Sequence, residues 1–89
     1  MNQMKIKWRY VEVSYVPPSG DTQFFATINK TESPDVALMT ATAMCANKHP
    51  DALEIQEFMQ RVVPEERAIQ IQSQMRDGTW EGWDFQKDH

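Results

Sequence analysis

Cys45 is the single thiol of the chain, and His49 and His89 are its two imidazoles, His89 being the last residue. These side chains have the pKa range for nucleophilic, acid–base or metal chemistry. A catalytic thiol needs an accessible, electropositive setting and a base within reach. Cys45 instead shares a stripe at helical spacing with Ala37, Leu38, Ala41 and Met44, where cysteine acts as a small hydrophobe. His49 stands directly before Pro50 at the predicted end of that helix, and reads as a cap on the negative end of the dipole. Glycine-rich phosphate loops, paired metal-ligand spacings and nucleophile elbows are all missing from the sequence. The expectation is a protein without catalysis, metal or cofactor, one that works by contact.

Three groups of residues offer a contact surface. The first is aromatic: Trp80, Trp83 and Phe85 fall within six residues of the C-terminal segment. Tryptophan buries a large area at small entropic cost and is favoured at binding hot spots. In a domain this small the same rings can fold back to finish the core, and Trp80, close behind Gly78, is expected to be the more buried. If they are not core, Trp80, Trp83 and Phe85 form a partner-binding surface, with Met39, which points off the main stripe of its helix, as a second patch. The second group is Lys5, Lys7 and Arg9, on one face of the first strand beside Trp8 and Tyr10. That is a sparse version of a phosphate-contacting stripe with stacking rings, or a solvated edge that discourages aggregation. The third is Asp51, Glu54, Glu57, Glu65 and Glu66, offset by Arg61, which reads as a solvated face or as an acidic decoy of a nucleic-acid backbone.

Composition sets the class. Hydrophobic residues make up 40% and charged residues 25% of 89 residues, as in an ordinary folded protein. One domain, residues 1–89, is expected. A lone cysteine favours a reducing compartment, so a cytoplasmic location is expected. The first residues hold no apolar run of signal-peptide length, and nothing approaches the roughly 20 apolar residues of a membrane span. Asn29-Lys30-Thr31 matches a glycosylation acceptor and is taken as chance in that setting. The net charge of −4 argues against direct nucleic-acid binding, which wants a basic face.

These groups need elements to carry them. Residues 4–16 alternate in the manner of a strand. Ile6, Trp8 and Tyr10 share one face while Val11, Val13 and Tyr15 share the other, so the strand either bulges near Tyr10 or is covered on both sides. Residues 17–21 are a turn cluster, and residues 22–30 return with Phe24, Ala26 and Ile28 on one face. That face is expected to meet the next helix. Ser33-Pro34-Asp35 begins it with a cap, a proline at the first helical position and an acid at the positive end. Residues 52–63 fit both a helix stripe and a strand. The strand is preferred because an isolated hairpin gains from a third strand and Pro64 suits the start of a new helix. That helix, residues 64–76, carries Ala68, Ile71 and Met75 on one face, and Gly78 ends it.

The order β-β-α-β-α predicts an α+β fold: a small antiparallel sheet, an N-terminal hairpin plus a third strand, with two helices on one face. The first strand is long, and at a sheet edge it would pair with a second copy as a homodimer. The expected function is a non-catalytic protein-binding module, an inhibitor or adaptor that occupies the surface of a larger protein. The alternative is nucleic-acid-related, through the acidic decoy or the basic strand.

Overall fold

The computed structural model describes residues 6–84. Its elements are β1 (Lys7–Val16), β2 (Gln23–Thr31), α1 (Pro34–Lys48), β3 (Leu53–Val63) and α2 (Glu65–Asp77). The fold is α+β in the order expected, with the segment after Pro50 forming a strand. The sheet order is β2-β1-β3, and both outer strands are antiparallel to β1. β2 and β3 therefore run parallel to each other, and α1 carries the chain from one to the other across β1. β1 is the central strand, with a neighbour on each side. The expected pairing of two copies through β1 is thus closed off; strand pairing between copies would have to use β2 or β3.

The expectation that both helices share one face is also corrected. β1 pairs with β2 without a bulge from Lys7↔Thr31 to Tyr15↔Gln23, so its two apolar sets do face opposite sides. Val11, Val13 and Tyr15 pack with Ala37, Ala41 and Cys45 of α1. Tyr10 packs on the other side with Ile28, Met59 and Val63, and with Ala68 and Ile71 of α2. A central strand with bulky side chains on both faces needs cover on both. One helix per face supplies it.

The same alternation moves the expected contact of β2. Ile28, Ala26 and Phe24 pair with Tyr10, Glu12 and Ser14, which places them on the α2 side. It is the intervening Phe25 that packs with the α1 cluster. Phe24 is not in the core: 54% of its surface is exposed.

Register shifts are confined to the pairing of β1 with β3. Glu12 pairs with Met59 and Val13 with Glu57, so Phe58 is an extra residue. A second shift lies between Ser14 and Val16. Within the stretch of β3 opposite it, Glu54 takes φ 52°, a left-handed backbone uncommon for a residue with a Cβ.

The helix ends follow local chemistry. Ser33 Oγ accepts the amide of Val36 at 3.1 Å, and the His49 amide donates to the Cys45 carbonyl at 2.8 Å. Buried alanines at 37 and 41 let α1 lie close to the sheet. Gly78 ends α2 in the left-handed conformation, φ 76°. The amides of Thr79 and Trp80 both return to the Gln74 carbonyl, at 2.8 and 3.2 Å. That reversal directs the chain after α2 back across the sheet. Among the described residues no helix is long and apolar enough to cross a membrane.

Candidate functional site

The site lies on the α2 side of the sheet, where the chain beyond Gly78 crosses β1. Trp80 Nε1 donates to the Tyr10 hydroxyl at 3.0 Å, with the two rings edge-to-face at 5.5 Å. The Tyr10 hydroxyl donates in turn to Glu12 Oε2. From the other side, the Trp83 amide donates to the same oxygen at 2.9 Å, and the Trp83 ring lies 5.1 Å from that of Tyr10. Glu12, 7% exposed, is thus the acceptor at the end of two donor paths, one from each tryptophan. A carboxylate at this depth is tolerated because it is hydrogen-bonded. Gly82 between them has φ 98°, and a Cβ there would stand 3.7 Å from Glu12 Oε2. The left-handed backbone, more than space, is what glycine supplies.

Beyond Glu12 the sheet face is open. Ser14 of β1 pairs with Phe24 on β2 and Gln56 on β3. Phe24 and Phe58, from strands on either side of β1, meet on this face. Their rings are 4.8 Å apart at 62°, and both remain more than half exposed, at 54% and 51%. Beside this pair and the tail lies an open groove of about 720 Å³, lined by Glu12, Phe24, Phe58, Met75, Trp80 and Trp83 among others, and also by Met44 and Lys48 of α1.

Trp80 and Trp83 are half-buried and packed against the core cluster of Tyr10 and Ile71. They also line the groove, so each has an inward and an outward side. Phe85 lies outside the described residues. Met39 is exposed on α1 and is not among the residues that line the groove. Phe24, Phe58 and Glu12 were not singled out as site residues from sequence. For Glu12 there was a signal: a charge inside the apolar run Tyr10–Val13 has to be solvated or bonded. For the two phenylalanines there was none, because their meeting depends on strand order.

The sheet separates the basic stripe from its expected stacking partners. Lys7 and Arg9 alternate with Trp8 and Tyr10, and Tyr10 and Trp8 belong to the α2-side core. Arg9 Nε donates to the Thr31 carbonyl at 3.4 Å, and Lys7 is exposed. Lys5 lies outside the described residues. The acidic residues are strung out. Asp51 precedes β3, Glu54 and Glu57 lie on it, and Glu65 and Glu66 open α2. The two ends of that row are roughly 30 Å apart along an extended strand. Glu57 accepts a bond from Gln60 Nε2 at 3.0 Å.

Cys45 is fully buried, and burial raises its thiol pKa, which disfavours the reactive thiolate. The His49 ring stacks on Tyr15 at 4.7 Å, meets the edge of Phe25 at 6.1 Å, and has Nε2 3.2 Å from the Tyr15 hydroxyl. It clamps the end of α1 to the sheet. Among the described residues no group of three or more His, Cys, Asp or Glu side chains could hold a metal ion.

No family model matches this chain, and neither the curated proteins nor the solved structures include a match to it.

Proposed function

We propose that this chain is a non-catalytic protein-binding module that occupies the surface of a larger partner, as an inhibitor or adaptor does, and that the groove beside Phe24 and Phe58 is its contact surface. The observation that carries this reading is the exposed pair itself. Two phenylalanines, each more than half exposed, touch each other beside two half-buried tryptophans on one sheet face. Contiguous exposed apolar surface on a soluble protein marks an interaction site, and aromatic anchors carry most of the energy at such sites. The tail that forms one wall is held by hydrogen bonds to Tyr10 and Glu12. A wall ordered before binding lowers the entropic cost of association. The nucleic-acid alternative draws no comparable support from the separated basic stripe or the strung-out acids.

The test compares the native protein with a Phe24→Ser, Phe58→Ser double variant in affinity capture from the native host, read by mass spectrometry. The expected result is a partner retained by the native protein and lost by the variant, while circular dichroism shows both to be folded. A folded variant that captures the same proteins in the same yield would overturn the assignment of this surface.

A further inference from the structure

We infer that the groove takes an arginine side chain presented by the protein partner, with its guanidinium on the Glu12 carboxylate and its plane against the aromatic wall. This rests on the reading of the groove as the binding surface. The first observation is the bonding of Glu12. Both of its internal bonds end on Oε2, and among the described residues nothing donates to Oε1. Anchoring the tail explains one oxygen of a buried carboxylate that lines the groove; the other is left as an acceptor for a donor from outside. A carboxylate in a partly dehydrated site gains most from a charged donor.

The second observation is the wall. Phe24, Phe58, Trp80 and Trp83 all line the same space. Glu12 and Ser14 are alternate residues on one face of β1, so Glu12 stands about 7 Å along the strand from Ser14, the register partner of Phe24. Aromatic faces attract cations, and a flat guanidinium can stack on a ring while its edge donates to a carboxylate. One of these rings already carries a cation: the guanidinium carbon of Arg67 of α2 lies over the Trp80 ring, 5.5 Å from its centroid. The third observation is charge. Among the described residues the groove is lined by the acids Glu12 and Glu81 and the cation Lys48, with Arg67 over the Trp80 ring, within a chain of net charge −4. An apolar partner residue would fill the aromatic part but leave Oε1 dehydrated without a donor, which is unfavourable. A lysine would satisfy the charge but not the stacking geometry.

The experiment titrates the full-length protein with a blocked pentapeptide carrying one arginine between leucines, and with the same peptide carrying citrulline. Citrulline keeps shape and stacking but loses the charge. The readout is the backbone amide resonance of Trp83, which is bonded to Glu12. The arginine peptide is expected to shift it saturably and to bind about tenfold or more tightly than the citrulline peptide. Glu12→Gln keeps an acceptor for Tyr10 and Trp83 while removing the charge, so it is expected to abolish that preference. Equal binding of the two peptides, a preference that survives Glu12→Gln, or no shift with either peptide at millimolar concentration would each overturn the inference. Capture that still depends on Phe24 and Phe58 would then show that the groove binds its partner without a cation. Loss of that dependence would mean that the surface itself was wrongly assigned.

Discussion

Glu12 and Trp83 are joined across 71 positions of sequence: the Trp83 amide donates at 2.9 Å to a carboxylate oxygen that also accepts from Tyr10. One buried side chain on the central strand therefore helps to hold the chain beyond α2 against the sheet.

Removing that acceptor should loosen the tail. Glu12→Ala leaves the Tyr10 hydroxyl and the Trp83 amide without their shared partner and should cost about 2 kcal/mol. Glu12→Gln, which retains an acceptor, should cost less than about 1 kcal/mol. Urea unfolding followed by circular dichroism measures both. Equal costs would mean that the charge, rather than the hydrogen bonds, holds the segment.

Phe24 and Ile71 sit on the same side of the sheet but should respond very differently. Ile71 of α2 is fully buried against the sheet, and Ile71→Ala should cost about 3 kcal/mol through lost transfer energy and a residual cavity. Phe24→Ala removes a half-exposed ring and its contact with Phe58, and should cost about 1 kcal/mol. Paired denaturation curves decide this. A Phe24→Ala loss as large as that of Ile71→Ala would place the ring in the core.

Deleting residues 79–89 should uncover Tyr10 and remove two half-buried indoles. The apolar area involved corresponds to a loss on the order of 3 kcal/mol. The expected outcome is a folded but markedly less stable protein, seen as a lowered thermal midpoint. An unchanged midpoint would show that the tail contributes nothing to the fold.

Alkaline pH should act through Cys45. Its thiol is raised above the ordinary value of 9.0 by burial. Below that value both folded and unfolded chains hold the proton and the contribution to stability is complete. As the pH rises further, the unfolded chain ionises first, and stability falls until the folded thiol also titrates. The native protein should therefore lose stability above pH 9.0 more steeply than Cys45→Ala, as read from urea midpoints across pH. Parallel curves would mean that the thiol is hydrated in the folded state.

Much of the fold was legible because its signals are local. Ser33-Pro34-Asp35 starts α1, Gly78 ends α2 in the left-handed conformation, and residue types alone mark these positions. The third strand was legible less directly. Residues 52–63 fit two periodicities, and the strand followed from the need of a hairpin for a further neighbour.

Alternation along β1 left two readings for Tyr10 and Val11, a bulge that restores one apolar face or a strand covered on both sides, and the unbulged pairing with β2 decided for two separate apolar surfaces. The alternation carried no information about which element would cover each. That depended on α1 crossing to the far side of β1 to deliver β3, and on α2 returning over the other face. Of the candidate site, Trp80 and Trp83 stand out in the sequence, but the groove they line belongs to this second level. Phe24 and Phe58 lie 34 positions apart and meet only because β2 and β3 flank β1 in one sheet. Glu12 shares its face with Tyr10 by alternation, but the groove it lines gains its second wall only where the tail folds back to Glu12 Oε2. Periodicity and capping act between residues a few positions apart, so the sequence alone determined the elements. Strand order and tail docking arise from burial among distant segments, and only the tertiary structure decided them.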